Sequence, residues 1–152
     1  MKGLFGLNNS ADLFKKLERE FDQLIAEPTD AYLAYNFFVT AWHLLEWKHP
    51  DPSGKPIRDQ IRDQTPLLQI CEHLAVGAKH FEPRNPNLKA VSGSKKSNGW
   101  ANDAWAPDAW AKDAWASSLI VELTGDAQKA YGSHIKVQDL AHFVMDYWRS
   151  FL

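Results

Sequence analysis

The chain has 152 residues and a mass of 17.3 kDa, the size of one domain of about 100–150 residues. A hydrophobic share of 45%, a charged share of 24% and a formal net charge of -2 exclude wholesale disorder and a generally basic nucleic-acid coat. Cys71 is the only cysteine, which excludes an intramolecular disulfide and a cysteine-based zinc finger.

No uncharged apolar run approaches the roughly 18 residues of a transmembrane helix. The opening Met1–Leu7 is too short for a secretory signal. The expectation is a soluble, cytoplasmic protein with no membrane partner.

The first predicted element is a helix over 10–26. Leu13, Phe14, Leu17, Phe21, Leu24 and Ile25 recur every three or four residues and share one stripe. Asn9 is its cap, Asp12 sits in the positive first turn, and Pro28 ends the run. A second helix spans 30–48, with Thr29 as cap. It is apolar nearly all round, from Leu33 and Phe37 to Leu45 and Trp47, which is the pattern of a central bundle helix. Lys48 and His49 suit the negative end of its dipole, and Pro50 stops it. Residues 50–56 read as a loop.

Thr65-Pro66 signals the start of a third helix. Leu67, Ile70, Cys71, Leu74, Ala78 and Phe81 form its apolar face. Arg58 and Arg62 lie in a preceding segment that can be a short helix of its own. Residues 83–99 read as a long loop rich in Pro, Asn, Ser and Gly.

Trp100, Trp105, Trp110 and Trp115 then recur every five residues in a Trp-Ala-x-Asp-Ala pattern. Five residues advance an α-helix by about 500°, and an odd step alternates faces in a strand. The period fits neither, so the repeat reads as successive turns with Asp side chains satisfying backbone N–H groups. Leu119–Leu123 is a short strand, Thr124-Gly125-Asp126 a turn, and 127–131 a partner strand completing a hairpin. A last helix covers 137–151, with Leu140, Ala141, Val144, Trp148 and Phe151 on one stripe. The predicted fold is mainly α: one domain over 1–152, a bundle of three to four helices with a small antiparallel β-hairpin near the C-terminus, and a loop and Trp repeat at 83–116.

Candidate chemistry concentrates on two helices. Asn36, Thr40 and His43 stand at i, i+4 and i+7 of the second helix, with Glu46 a turn further on. His43 and Glu46 form an i, i+3 pair suited to metal binding or proton transfer. His73 and His80 share a face of the third helix with Gln69 and Glu72. If the two polar faces meet, His43, Glu46, His73 and His80 form an N/O constellation able to act as general base or metal ligands. Otherwise these are solvated faces or satisfied core polar groups. The spacing is not His-Glu-x-x-His, and neither a nucleophile elbow, a phosphate loop nor a dinucleotide fingerprint occurs. Cys71 lies on an apolar face, where a free cysteine behaves as a small hydrophobe. The residues specify no cofactor.

Charge is unevenly spread. Residues 79–96 carry Lys79, Arg84, Lys89, Lys95 and Lys96 against Glu82 alone. Residues 100–126 carry Asp103, Asp108, Asp113, Glu122 and Asp126 against Lys112 alone. The basic stretch can touch RNA phosphates, or the two stretches can attract each other within or between chains. Four Trp in 16 residues suit a contact surface for a protein partner or for self-association, or rings that fold back onto the core.

Asn36–His43 (NFFVTAWH), Ile70–Phe81 (ICEHLAVGAKHF) and the aromatic end Tyr147–Leu152 resemble a group of uncharacterised small bacterial proteins. The resemblance implies a shared helical fold and brings no activity. The general layout and the Lys79-His80 helix end are similar to HEPN-type domains, many of them RNases of toxin and phage-defence systems. The family motif places an Arg four to six residues before a His, whereas Arg62 stands eleven before His73. The leading expectation is a binding or assembly module. Its sites would be Asn36, Thr40, Lys79 and the four repeat tryptophans. The alternative is an RNase-like or metal-assisted hydrolase using His43, Glu46, His73 and His80.

Overall fold

In the computed structural model, which describes residues 3–80, 85–97 and 118–151, helix α1 (Ser10–Ala26) begins where its cap predicts. The Asn9 side chain accepts from the Asp12 N–H at 3.0 Å, which satisfies one of the orphan donors of the first turn. Its buried residues Leu13, Leu17, Phe21 and Leu24 are those of the expected stripe.

Helix α2 (Ala31–Lys48) is capped by Asp30 rather than Thr29. The Asp30 carboxylate accepts from the Tyr32 and Leu33 N–H groups at 2.9 and 3.1 Å. A carboxylate at this position also meets the positive end of the dipole. The helix packs against α1, α4 (Pro66–Lys79) and α6 (Val137–Phe151), and this explains a sequence apolar on nearly every side.

The expected loop over 50–56 is shorter than predicted, because α3 (Lys55–Asp63) starts within it. Arg58 ties the turn down, donating to the His49 carbonyl at 2.5 Å and to Asp51 at 2.8 Å. Helix α4 buries Leu67, Leu68, Ile70, Cys71 and Ala75. Ala78 of the expected face is exposed, and Phe81 lies outside the described residues.

Two expectations about the second half are corrected. Residues 91–97, read as loop, form strand β1 (Val91–Ser97). The stretch 127–131, read as a strand, belongs to helix α5 (Gly125–Tyr131). Residues 125–131 contain no β-branched residue and are rich in Ala, Gln and Lys, which favour helix. Gly125 sits at φ 61 and Gly132 at φ 87, backbone conformations that suit glycine and bracket the short helix.

Strand β2 (Ser118–Leu123) therefore takes β1 and β3 (His134–Lys136) as antiparallel partners, in the order β1-β2-β3. Ser97 pairs with Ser118 and Val91 with Leu123, with a bulge between Val91 and Gly93. Among the described residues there are six helices and this one sheet, so the fold is mainly α with a small β element.

One apolar core joins all of it. Leu17, Phe37, Leu44, Leu68, Val121 and Trp148 are each at most 2% exposed. Phe151, expected on the buried stripe of α6, is 54% exposed. It is the last described residue of α6, and the Lys48 ammonium stands 5.5 Å from its ring centre and donates to its carbonyl at 2.7 Å. No helix is long and apolar enough to cross a membrane, among the described residues.

Candidate functional site: an apolar groove beside the sheet

The four candidate catalytic residues do not converge on one site. His43 and Glu46 approach each other at 4.0 Å on the outer side of α2, each side chain about half exposed (50% and 46%). An exposed pair of this kind contributes little. His80 is the exposed C-cap of α4, and Lys79 beside it is exposed too.

His73 is half-buried against β1, and its Nδ1 accepts from the Val91 N–H at 3.1 Å. An amide N–H only donates, so Nδ1 carries the lone pair and the ring proton resides on Nε2. Burial holds the His73 pKa below its ordinary 6.5, because the cation is the costlier form to desolvate.

The polar face of α4 is turned away from α2. The Gln69 amide donates to the Arg62 and Asp63 carbonyls at the end of α3, both at 3.2 Å. Glu72 takes the Arg62 guanidinium at 3.2 Å, and His73 takes β1. The face toward α2 is the apolar one. No group of three or more His, Cys, Asp or Glu stands together to hold a metal, among the described residues.

The stripe on α2 divides in the same way. Thr40 is buried, and its hydroxyl accepts from the Lys16 ammonium of α1 at 2.7 Å. Lys16 is itself paired with Glu20. Thr40 thus completes a polar contact within the α1–α2 interface, while Asn36 is exposed. Trp100, Trp105, Trp110 and Trp115 lie outside the described residues.

The structure places together a different set that sequence reasoning did not assemble. An apolar groove of about 290 Å³ runs between the first half of α2, α4, the start of α6 and the β1–β2 pair. Buried Phe38 and Val121 form its base. Leu74 and Ile120 flank it, and Tyr35 projects over it with 45% of its surface exposed. Lys95 and Lys96 stand at the strand side. Lys95 lies 3.7 Å from Glu122, with about half of its side chain in solvent. The groove couples an apolar trough to a cationic rim, which suits a ring carrying nearby negative charge. The missed signal was β1: a Lys-Lys pair guards this edge strand, and both residues line the groove.

A second cleft, of about 530 Å³, lies between α3, α4 and the segment 87–89. Its Arg62 is already held by Asp59 at 3.3 Å, Asp63 at 3.0 Å and Glu72 at 3.2 Å. The Arg62 guanidinium is thus neutralised by its own neighbours. No family model matches this chain, and neither a curated protein nor a solved structure matches it.

Proposed function

We propose that this chain is a small helical binding module that recognises an aromatic, acidic segment through the groove between α2, α4 and the β1–β2 pair. The observation that carries this reading is the groove itself. It is an open apolar trough with Phe38 and Val121 at its base, Tyr35 at its wall and Lys95 and Lys96 at its rim. Aromatic anchors seated in small apolar pockets are the usual energetic centres of protein contacts. The catalytic alternative, an RNase or metal-assisted hydrolase, lacks such support. His43 and Glu46 are exposed on α2, His80 is exposed at the end of α4, and the His73 Nδ1 is occupied by the Val91 N–H. The test is a titration of the chain carrying alanine at all four repeat tryptophans with N-acetyltryptophanamide, followed by amide NMR shifts. Shifts concentrated at Tyr35, Leu74 and Ile120 support the reading. Unmoved groove amides, or shifts gathered around His43 and His80 instead, overturn it.

A further inference from the structure

We propose that the groove receives the Trp-bearing segment 100–115 of a second copy of this chain, the two copies exchanging the segment reciprocally. This rests on the binding reading above and names the occupant.

The first argument is position. β1 ends at Ser97 and β2 begins at Ser118, and these two residues are paired. The groove is lined by Ser94, Lys95 and Lys96 just before that point, and by Leu119 and Ile120 just after it. The intervening chain therefore leaves and rejoins the fold at the groove's own edge. Donor and acceptor side by side on one copy give a self-complementary patch. A twofold axis near the Ser97–Ser118 end sets each segment at the other copy's groove, and the assembly closes as a dimer instead of growing as a filament. Half of the 98–117 stretch, ten residues, extends to at most about 33–36 Å, ample to cross such an axis.

The second argument is chemistry. Residues 100–115 carry Asp103, Asp108 and Asp113 against the single cation Lys112, opposite in sign to the Lys95 and Lys96 rim. The volume also decides something. A cavity of about 150 Å³ takes a benzene, so 290 Å³ takes one indole and not four. Surplus rings left in water form an association-prone patch. Exchange puts the remaining rings of both segments between the copies, where they cover one another.

The experiment is light scattering on the full chain from about 1 to 100 µM, the range in which modest interfaces dissociate. Three variants accompany it: Tyr35→Glu, which removes an aromatic wall and puts a negative charge in the groove; Lys95→Glu with Lys96→Glu, which reverses the rim; and alanine at all four repeat tryptophans, which removes the donor. Circular dichroism and thermal melts establish that each is folded. The expected result is a dimer whose dissociation constant rises at least about tenfold in every variant. Mixing Tyr35→Glu with the fourfold tryptophan variant restores a heterodimer, because one intact donor meets one intact groove.

A chain that is monomeric at the top concentration overturns the exchange, and so does a dimer that none of the variants weakens. A monomer whose groove amides shift when the four tryptophans are replaced also overturns it, assigning the groove to the same chain's own segment. Each of these leaves the indole titration as an independent readout, so loss of the exchange and loss of the binding reading are told apart.

Discussion

His73 gives a pH prediction whose sign follows from one hydrogen bond. Protonation of Nδ1 turns the acceptor of the Val91 N–H into a donor, which breaks the tie between α4 and β1 at 3.1 Å. The folded pKa lies below 6.5, so the unfolded chain takes up the proton first. Stability is then undiminished above pH 6.5 and is lost as the pH falls below it. At pH 5.5 a histidine that stays wholly neutral when folded costs at most about 1.4 kcal/mol by linkage. His73 is only partly buried, so its loss falls short of that bound. The perturbation is His73→Asn, which keeps an acceptor at the δ position and removes the titration. Urea unfolding of both proteins at pH 7.5 and 5.5 reads the difference. The wild type is expected to lose more stability than the variant between these values, by less than about 1.4 kcal/mol. Equal losses in the two proteins refute the assignment.

The remaining predictions concern groups whose role is structural. Arg62→Met strands the largely buried Glu72 carboxylate, which burial already pushes toward a higher pKa against the pull of Arg62. A thermal melt is expected to show a loss of about 1–3 kcal/mol, or about 2–4 °C per kcal/mol for a chain of this length. Glu72→Gln, which removes the charge and keeps hydrogen-bonding capacity, is expected to cost less, and an equal cost would contradict the ion-pair reading. Cys71 is fully buried and burial pushes its thiol up to about 12. A thiol reagent at pH 8 is expected to leave it unmodified in the native chain and to modify it stoichiometrically in denaturant. Rapid native labelling would contradict its place in the core.

The helices were legible because their cues are local. Asn9, the Leu13–Leu17–Phe21–Leu24 stripe, the Thr65-Pro66 start and the Leu140–Val144–Trp148 stripe each act within a few turns, and α1, α4 and α6 follow from them. The all-round apolar α2 also disclosed its central position. The sheet was less legible, because β1 (VSGSKKS) has neither alternation nor apolar content beyond Val91. Its pairing with β2, thirty residues on, and the His73–Val91 bond hold it, and both are tertiary. Helix α5 was misread for the converse reason: the hairpin reading placed β2's partner next in sequence, when its two partners come from before the Trp repeat and after α5.

The candidate site divided along the same line. The i, i+4, i+7 spacing of Asn36, Thr40 and His43 correctly put them on one side of a helix. Which neighbour each residue meets is not a property of the spacing: Thr40 meets α1 through Lys16, while Asn36 and His43 face solvent. Face spacing likewise grouped Gln69, Glu72 and His73, but α3 and β1 receive them. The groove was invisible for want of β1, since two of its charged lining residues belong to a strand that the sequence presents as loop.

Groove recognition is tested most directly by the indole titration carried out on the chain with alanine at all four repeat tryptophans, with and without Tyr35→Glu, in parallel. Saturable amide shifts at Leu74 and Ile120, weakened at least about tenfold by Tyr35→Glu, are the predicted result. Shifts absent from the groove, or equally strong in the variant, contradict it.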